Sequence, residues 1–282
     1  MDKSKYGRRL SLKDKETILY LFQKGMPCYN IAKSIGFDAK VVKMFLEKKN
    51  IYETRHHRTY NCDQEFFDII NTEIKAYWLG FIAADGCIKN KNHLSLVLKS
   101  TDEKHIEIFL KDIKSEHPIF HETRIVKGKI YHASGVNIGS QKIVQGLVEK
   151  GVCQQKSLIL KWINVRSDLE RHFIRGYFDG DGCFCVRKTR KECSYSFTGS
   201  PFFIPVLQEI IQSNCGLKKV SIQQRNKKSK SFFYGGIKNC RTIYHYLYDD
   251  CSVFLGRKKE KAEQFLSGYG LLSSTGVGPR DS

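Results

Sequence analysis

Two stretches of this sequence close in the same way: "YWLGFIAADGCI" at 77–88 and "FIRGYFDGDGCF" at 173–184. They align without a gap, Gly80 on Gly176, Ala84 on Gly180, Asp85 on Asp181, Gly86 on Gly182 and Cys87 on Cys183. An apolar run ending in Asp-Gly is a common turn signal when it occurs once. Two copies at a domain-sized interval read as a duplicated unit. The ends of the runs are unfavourable as they stand. A helix C-terminus carries partial negative charge, so an acid there costs a few tenths to about 1 kcal/mol. Glycines at 176, 180 and 182 weaken the helix further. Something must offset both.

The spacing suggests what. Gly80 with Ala84, and Gly176 with Gly180, lie four apart and so share a helix face. Two such faces can meet backbone to backbone, closer than the usual 8–10 Å. That contact would set Asp85 and Asp181 side by side, where they repel unless divalent cations lie between them. A few oxygen ligands with room for water and phosphate favour Mg²⁺ over zinc. Paired ions of this kind can activate a water and stabilise a leaving oxygen of a phosphodiester.

The flanking segments repeat as well. After each Asp-Gly the period falls to two. "HLSLVLKS" (93–100) sets Leu94, Leu96 and Leu98 against His93, Ser95, Val97 and Lys99, and "CSYSFTGS" (193–200) sets Tyr195 and Phe197 against Ser194, Ser196, Thr198 and Ser200. Such strands have one dry and one wet face. Helical runs follow at 102–113 and 202–212, then basic strand-like segments, then closing helices in "QKIVQGLVEKGV" and "CRTIYHYLYDDC". The repeat is αββαββα, twice. Arg225, Lys227, Lys228 and Lys230 read as the tip of a basic hairpin in the second copy, and Lys99 lies on the wet face in the first.

Ahead of the repeat, residues 11–51 read as three short helices. Ile18, Leu19, Leu21 and Phe22 form one apolar stripe, Gly25 and Pro27 end it, and Asp38 is placed to cap the last helix. The pattern is that of a helix-turn-helix, with Lys40, Lys43, Lys48 and Lys49 facing phosphates. Residues 52–71 read as a basic linker carrying Arg55 and Arg58, with His56 and His57 solvated rather than bound to metal. Residues 267–282, rich in Gly and Ser, read as a flexible tail.

The formal charge of +19, with fourteen Lys/Arg against six Asp/Glu in the first sixty residues, fits a polyanionic partner. No apolar run approaches the ~20 residues of a membrane span, and the N-terminus lacks a signal-peptide core. The expectation is an intracellular protein of the cytoplasm, nucleoid or organelle matrix, neither secreted nor membrane-bound. The ten cysteines include no C-x-x-C, and Cys183-x-Cys185 reads as a pair of small buried side chains on one sheet face.

"WLGFIAADG" and "IRGYFDGDG" resemble the two motifs of a single-chain, double-motif LAGLIDADG homing endonuclease, and the resemblance covers about residues 72–266. It implies an α+β fold: a pseudo-two-fold pair of αββαββα units, 72–166 and 167–266, whose saddle-shaped antiparallel sheets sit over the major groove. The helix-turn-helix-like domain, 1–51, would be a small all-α addition. It implies a monomer that cuts both strands of double-stranded DNA across the minor groove of a long asymmetric site, leaving short 3′ overhangs. Asp85 and Asp181 would be the catalytic acids, with the carbonyls of Ala84 and Gly180 as backbone ligands. Their cofactor would be about two or three Mg²⁺ ions, with Mn²⁺ able to substitute. Basic residues near the scissile phosphates would be Lys156 and Lys258, with Arg257 or Lys259 as substitutes for the latter. Ala83 departs from the pattern, since the second copy has Asp179 there. The alternative reading on this scaffold is an intron-RNA-splicing maturase or a non-catalytic DNA-binding regulator. No intein splice residues flank the core, so a free-standing or intron-encoded protein is expected.

Overall fold

The chain folds into helices α1 (Leu12–Gln23), α2 (Cys28–Ile35) and α3 (Ala39–Lys48), followed by the duplicated part. A computed structural model describes residues 9–51, 60–90, 92–126, 128–187, 192–226 and 228–268. Arg55, His56, His57, Arg58, Lys227 and residues 269–282 lie outside the described residues. Ser11 starts α1 with a capping box: its Oγ accepts the Asp14 N–H at 3.1 Å, and the Asp14 carboxylate accepts the Ser11 N–H at 2.9 Å. Asp38 caps α3 as expected, accepting the Lys40 N–H at 2.7 Å. Gly36 ends α2 at φ +73°, a left-handed position that suits glycine. Ile18, Ile31, Ala32, Val42 and Leu46 close a small core belonging to this unit alone. Residues 1–58 form one compact unit and residues 59–282 a second.

The second unit contains the repeat. Its first half runs α4 (Glu73–Asp85), β1 (Cys87–Lys89), β2 (His93–Lys99), α5 (Glu103–Asp112), β3 (Phe120–Val126), β4 (Lys129–Gly139) and α6 (Gln141–Glu149), then a short α7 (Lys156–Ile159). The other half runs α8 (Ser167–Asp181), β5 (Cys183–Arg187), β6 (Glu192–Gly199), α9 (Ile204–Cys215), β7 (Gln223–Asn226), β8 (Ser229–Gly235) and α10 (Ile237–Tyr248), then α11 (Gly256–Ser267). Each half contributes a four-stranded antiparallel sheet, ordered β1-β2-β4-β3 and β5-β6-β8-β7. Register places Leu94 opposite Ile138 and Leu96 opposite Val136 in one sheet, and Phe197 opposite Phe232 in the other. All six are fully buried. The period-two pattern therefore marks the dry face correctly in both copies.

One segment departs from the sequence expectation. Residues 60–71, read as the end of a linker, pack into the first half. Phe66 and Phe67 are buried, and the Asp63 N–H donates to the Ile113 carbonyl at 2.7 Å. Two adjacent aromatics anchor this stretch, and adjacency has neither helical nor strand period.

The two halves meet along α4 and α8. A Cβ placed on Gly80 would lie 2.0 Å from the Phe173 carbonyl oxygen, and one on Gly176 would lie 1.9 Å from that of Tyr77. No side chain fits at either place, so the helix backbones touch directly. Fully buried Arg175 ties the halves further, donating to Glu73 at 2.7 Å and to the carbonyls of Val253 and Leu247 at 3.0 and 3.1 Å. Such a charge is tolerable in the interior because it is paired and hydrogen-bonded.

Candidate active site

The close approach of α4 and α8 decides where their last residues stand. A Cβ on Gly180 would meet the Ala84 Cβ at 2.3 Å and the Asp85 Cγ at 3.5 Å, so the two C-termini are in contact. Asp85 and Asp181 reach solvent from this junction, but protein crowds them from below. Burial and the neighbouring Asp181 carboxylate push Asp85 up to about 6, against the pull of Lys258 and Lys156. Burial raises Asp181 too, against Lys156 and Lys258. Each acid is thus held where its charge is unfavourable unless a cation joins it.

Part of that compensation is already built in. Lys156, at the start of α7, is buried and donates its Nζ to the Ala84 carbonyl at 2.7 Å. Lys258, in the first turn of α11, is equally buried and donates to the carbonyls of Phe178, Gly180 and Gly182 at 2.8, 3.0 and 2.6 Å. An ammonium at a helix C-terminus is favourable with the dipole and satisfies carbonyls that lack an intrahelical partner. Burial lowers both lysines; Asp181 and Asp85 hold Lys156 up, and Asp179 holds Lys258 up. Metal ions alone were the expected offset for acids at these helix ends. Two lysines share that work.

The choice among Arg257, Lys258 and Lys259 is plain in the geometry. Arg257 donates its Nε to both oxygens of buried Asp102 at 2.8 Å. Lys259 lies over the Phe254 ring at 4.1 Å and 3.7 Å from Glu263. Lys258 alone of the three enters the junction.

In the sequence Asp179 is only a difference between the copies, facing Ala83 in the first. It is buried, and it accepts three hydrogen bonds: from Tyr77 Oη at 2.8 Å, Tyr248 Oη at 2.7 Å and the Leu255 N–H at 2.8 Å. Tyr77 spends its only proton on Asp179, so buried His105, 2.9 Å away, donates from Nε2 to the Tyr77 oxygen. Burial, then Arg257 and Lys258, push His105 down to about 3, which keeps it neutral. Asp179 thereby joins α4, α8, α10 and the residue that starts α11. A signal was present: a carboxylate inside an aromatic run must find partners or stay out of the core.

The remaining candidates lie elsewhere. Lys40, Lys43 and Lys48 are exposed along α3, in the three-helix unit. Lys99 is exposed on the face of β2 opposite Leu94, Leu96 and Leu98. Arg225 and Lys228 are exposed on the β7–β8 hairpin, with the Arg225 Nε donating to Ser231 Oγ at 2.9 Å. Lys230 is half-buried and alternates in step with buried Phe232 and Tyr234, so it shares their side of the sheet.

Among the described residues, no three His, Cys, Asp or Glu side chains gather into a metal cluster. A hard divalent ion at the helix junction would therefore rest on the two carboxylates, the Ala84 and Gly180 carbonyls, and oxygens from water or substrate. That all-oxygen set fits such an ion, and the raised acids mark where its charge would relieve them. No described helix is long and apolar enough to cross a membrane.

No protein-family model matches the chain, and no curated protein matches it by sequence. Solved structures do. The homing endonuclease I-WcaI, bound to its DNA recognition sequence, superposes with a TM-score of 0.50 at 14% identity, over 76% of this chain and 97% of that one. The I-LtrWI LAGLIDADG homing endonuclease, bound to target DNA, gives 0.49 at 13% identity, over 73% and 90%. At such identities the likeness is one of fold. With its paired motif helices and two four-stranded sheets, the duplicated part of this chain shares the fold of the homing endonuclease I-WcaI.

Proposed function

We propose that the protein is a site-specific endonuclease that hydrolyses both strands of double-stranded DNA with the help of divalent metal ions. One observation carries the reading: two crowded carboxylates at touching helix ends, each acid's helix closed by a buried lysine. A structural turn needs neither the acids nor the lysines there. The net charge of +19 and the exposed cations of the sheets and of α3 suit a DNA partner.

In this reading Asp85 and Asp181, with the carbonyls of Ala84 and Gly180, hold Mg²⁺. When bound, the ions supply an activated water and charge stabilisation at the leaving oxygen. The chain's own residues do the rest. Lys156 and Lys258 stand beside the acids, fixed by the carbonyls they bond, and their charge offsets the negative charge that builds on each phosphate. Their number matches the two strands. Lys99, Arg225 and Lys228 on the sheets, and Lys40, Lys43 and Lys48 on the three-helix unit, neutralise backbone phosphates and set register. Lys230, half-buried on the core side at the start of β8, takes no part in this contact.

The test is incubation of the full chain with a library of random duplex sites and Mg²⁺, followed by sequencing of the cut ends. A single long motif with short 3′ overhangs supports the reading. Binding that selects a motif without cutting it, in Mg²⁺ or Mn²⁺, would make the protein a regulator. Selection of folded RNA over duplex DNA would make it a maturase.

A further inference from the structure

The two copies differ on an exposed strand face just after the motif. After Asp-Gly the first half reads Cys87-Ile88-Lys89, and the second reads Cys183-Phe184-Cys185. Residues two apart on a strand share a face. In β5 Phe184 turns into the core, and both cysteines are exposed, contrary to the buried role that their spacing suggested. Their sulfurs lie 3.3 Å apart. Two same-face residues on a strand are separated by roughly 6.6 Å along the backbone, twice the rise of about 3.3 Å. The side chains therefore lean together.

We propose that Cys183 and Cys185 form a two-thiolate site for a soft, thiophilic divalent cation on the open face of β5. Thiolates select soft ions as surely as the all-oxygen junction selects hard ones. A metal–sulfur bond of about 2.3 Å puts two thiolates of one tetrahedral ion roughly 3.8 Å apart. Rotations of a few tenths of an ångström bring this pair to that spacing. Ser196 and Ser194 stand opposite Cys183 and Cys185 on β6, offering hydroxyls on the same face, and water completes the shell. Lys261 donates to the Phe184 carbonyl at 2.8 Å and holds the strand backbone between the two cysteines. Binding replaces two S–H bonds by two metal–sulfur bonds and releases two protons to solvent. In the first half the same place holds one thiol and Lys89, whose Nζ points to Ser95 Oγ at 3.4 Å, and two ligands cannot form there. The site stands whether or not the chain cuts DNA.

The experiment titrates the reduced full chain with Cd²⁺ in excess Mg²⁺, following sulfur-to-metal charge-transfer absorption and the number of free thiols. One Cd²⁺ should bind per chain with two thiols lost. Cys183→Ser and Cys185→Ser should each weaken binding at least about tenfold, while Cys87→Ser leaves it unchanged. Equal affinity in wild type and both serine variants overturns the proposal. A second measurement uses the unaltered protein, so it stands even if a variant fails to fold. Phenylarsine oxide replaces two S–H bonds by two As–S bonds with loss of one water, and it needs neighbouring thiols. It should protect Cys183 and Cys185 from alkylation in peptide mapping. Alkylation of both after treatment refutes the site.

Discussion

The two motif helices end on the same acid but are closed by different means. At the end of α4, Lys156 gives the Ala84 carbonyl a single bond, and the residue beneath is Ala83. At the end of α8, Lys258 bonds three carbonyls, and Asp179 beneath it gathers two tyrosines and the Leu255 N–H. The chemistry is duplicated: an acid and a buried lysine at each helix end. The support is not. Asp179 reaches across to Tyr77 of the first half, so one half braces both. A gapless alignment of two motifs reveals what they share, and the structural work sits at the position where they differ.

The comparison can be broken most sharply at the shared acids. Asp85→Asn and Asp181→Asn should each reduce double-strand cleavage below a tenth of wild type while DNA binding stays near normal. Cleavage of both strands retained in either variant would show that the halves are not chemically paired. The lysines come next. Arg257 and Lys259 are occupied elsewhere, so nothing stands in for Lys258. Lys156→Ala and Lys258→Ala should therefore each slow single-turnover cleavage by about 100-fold, the equivalent of ~2.7 kcal/mol of lost charge stabilisation. Nicked plasmid should accumulate in both. A loss confined to Lys156→Ala would return the second basic role to a neighbour.

Support should separate the halves where chemistry does not. Asp179→Ala leaves two buried hydroxyls and an N–H without their acceptor and should destabilise the protein by on the order of 3 kcal/mol in urea unfolding. Ala83→Asp puts a carboxyl at a buried position with no such partners and should also destabilise, by about 2 kcal/mol or more. If Ala83→Asp were neutral, the halves would be interchangeable after all. The smallest effect concerns pH. Asp85 is raised to about 6 in the folded chain, from an ordinary value near 4, so the folded state binds its proton more tightly than the unfolded chain does. Its unfavourable contribution is complete above pH 6 and fades as pH falls toward 4. Without divalent ions, Asp85→Asn should melt higher than wild type at pH 7.5, and the advantage should shrink at pH 5. The comparison must be between these two proteins, because His105, pushed down to about 3, makes both of them less stable in acid.

Much of this was legible in the residues. The repeat, the period-two strands and the four-residue spacing of small residues gave the architecture, because each rests on local geometry that the chain cannot avoid. The motif and its resemblance pointed to Asp85, Asp181, Lys156 and Lys258, and the structure brings all four to one junction. What escaped were contacts between residues far apart in sequence: the three carbonyls on Lys258, Arg257 on Asp102, Asp179 on Tyr77. A run of three cations looks uniform in sequence, and only packing around the first turn of α11 tells them apart. Phe66 and Phe67 escaped because a lone anchoring pair has no period. The exposure of Cys183 and Cys185 escaped because alternation fixes which residues share a face but not which face is covered.

The contact of α4 with α8 acts as a gauge block. At Gly80 and Gly176 nothing but backbone lies between the helices, so no ordinary drift of side chains can widen the gap. The separation of the two helix ends that carry the acids is therefore set by the fold. In the endonuclease reading the stagger between the two cuts is inherited with the fold, whichever target is recognised. The sheet surfaces are free to change residue by residue and learn a new sequence, while the ends they produce remain compatible with every earlier one.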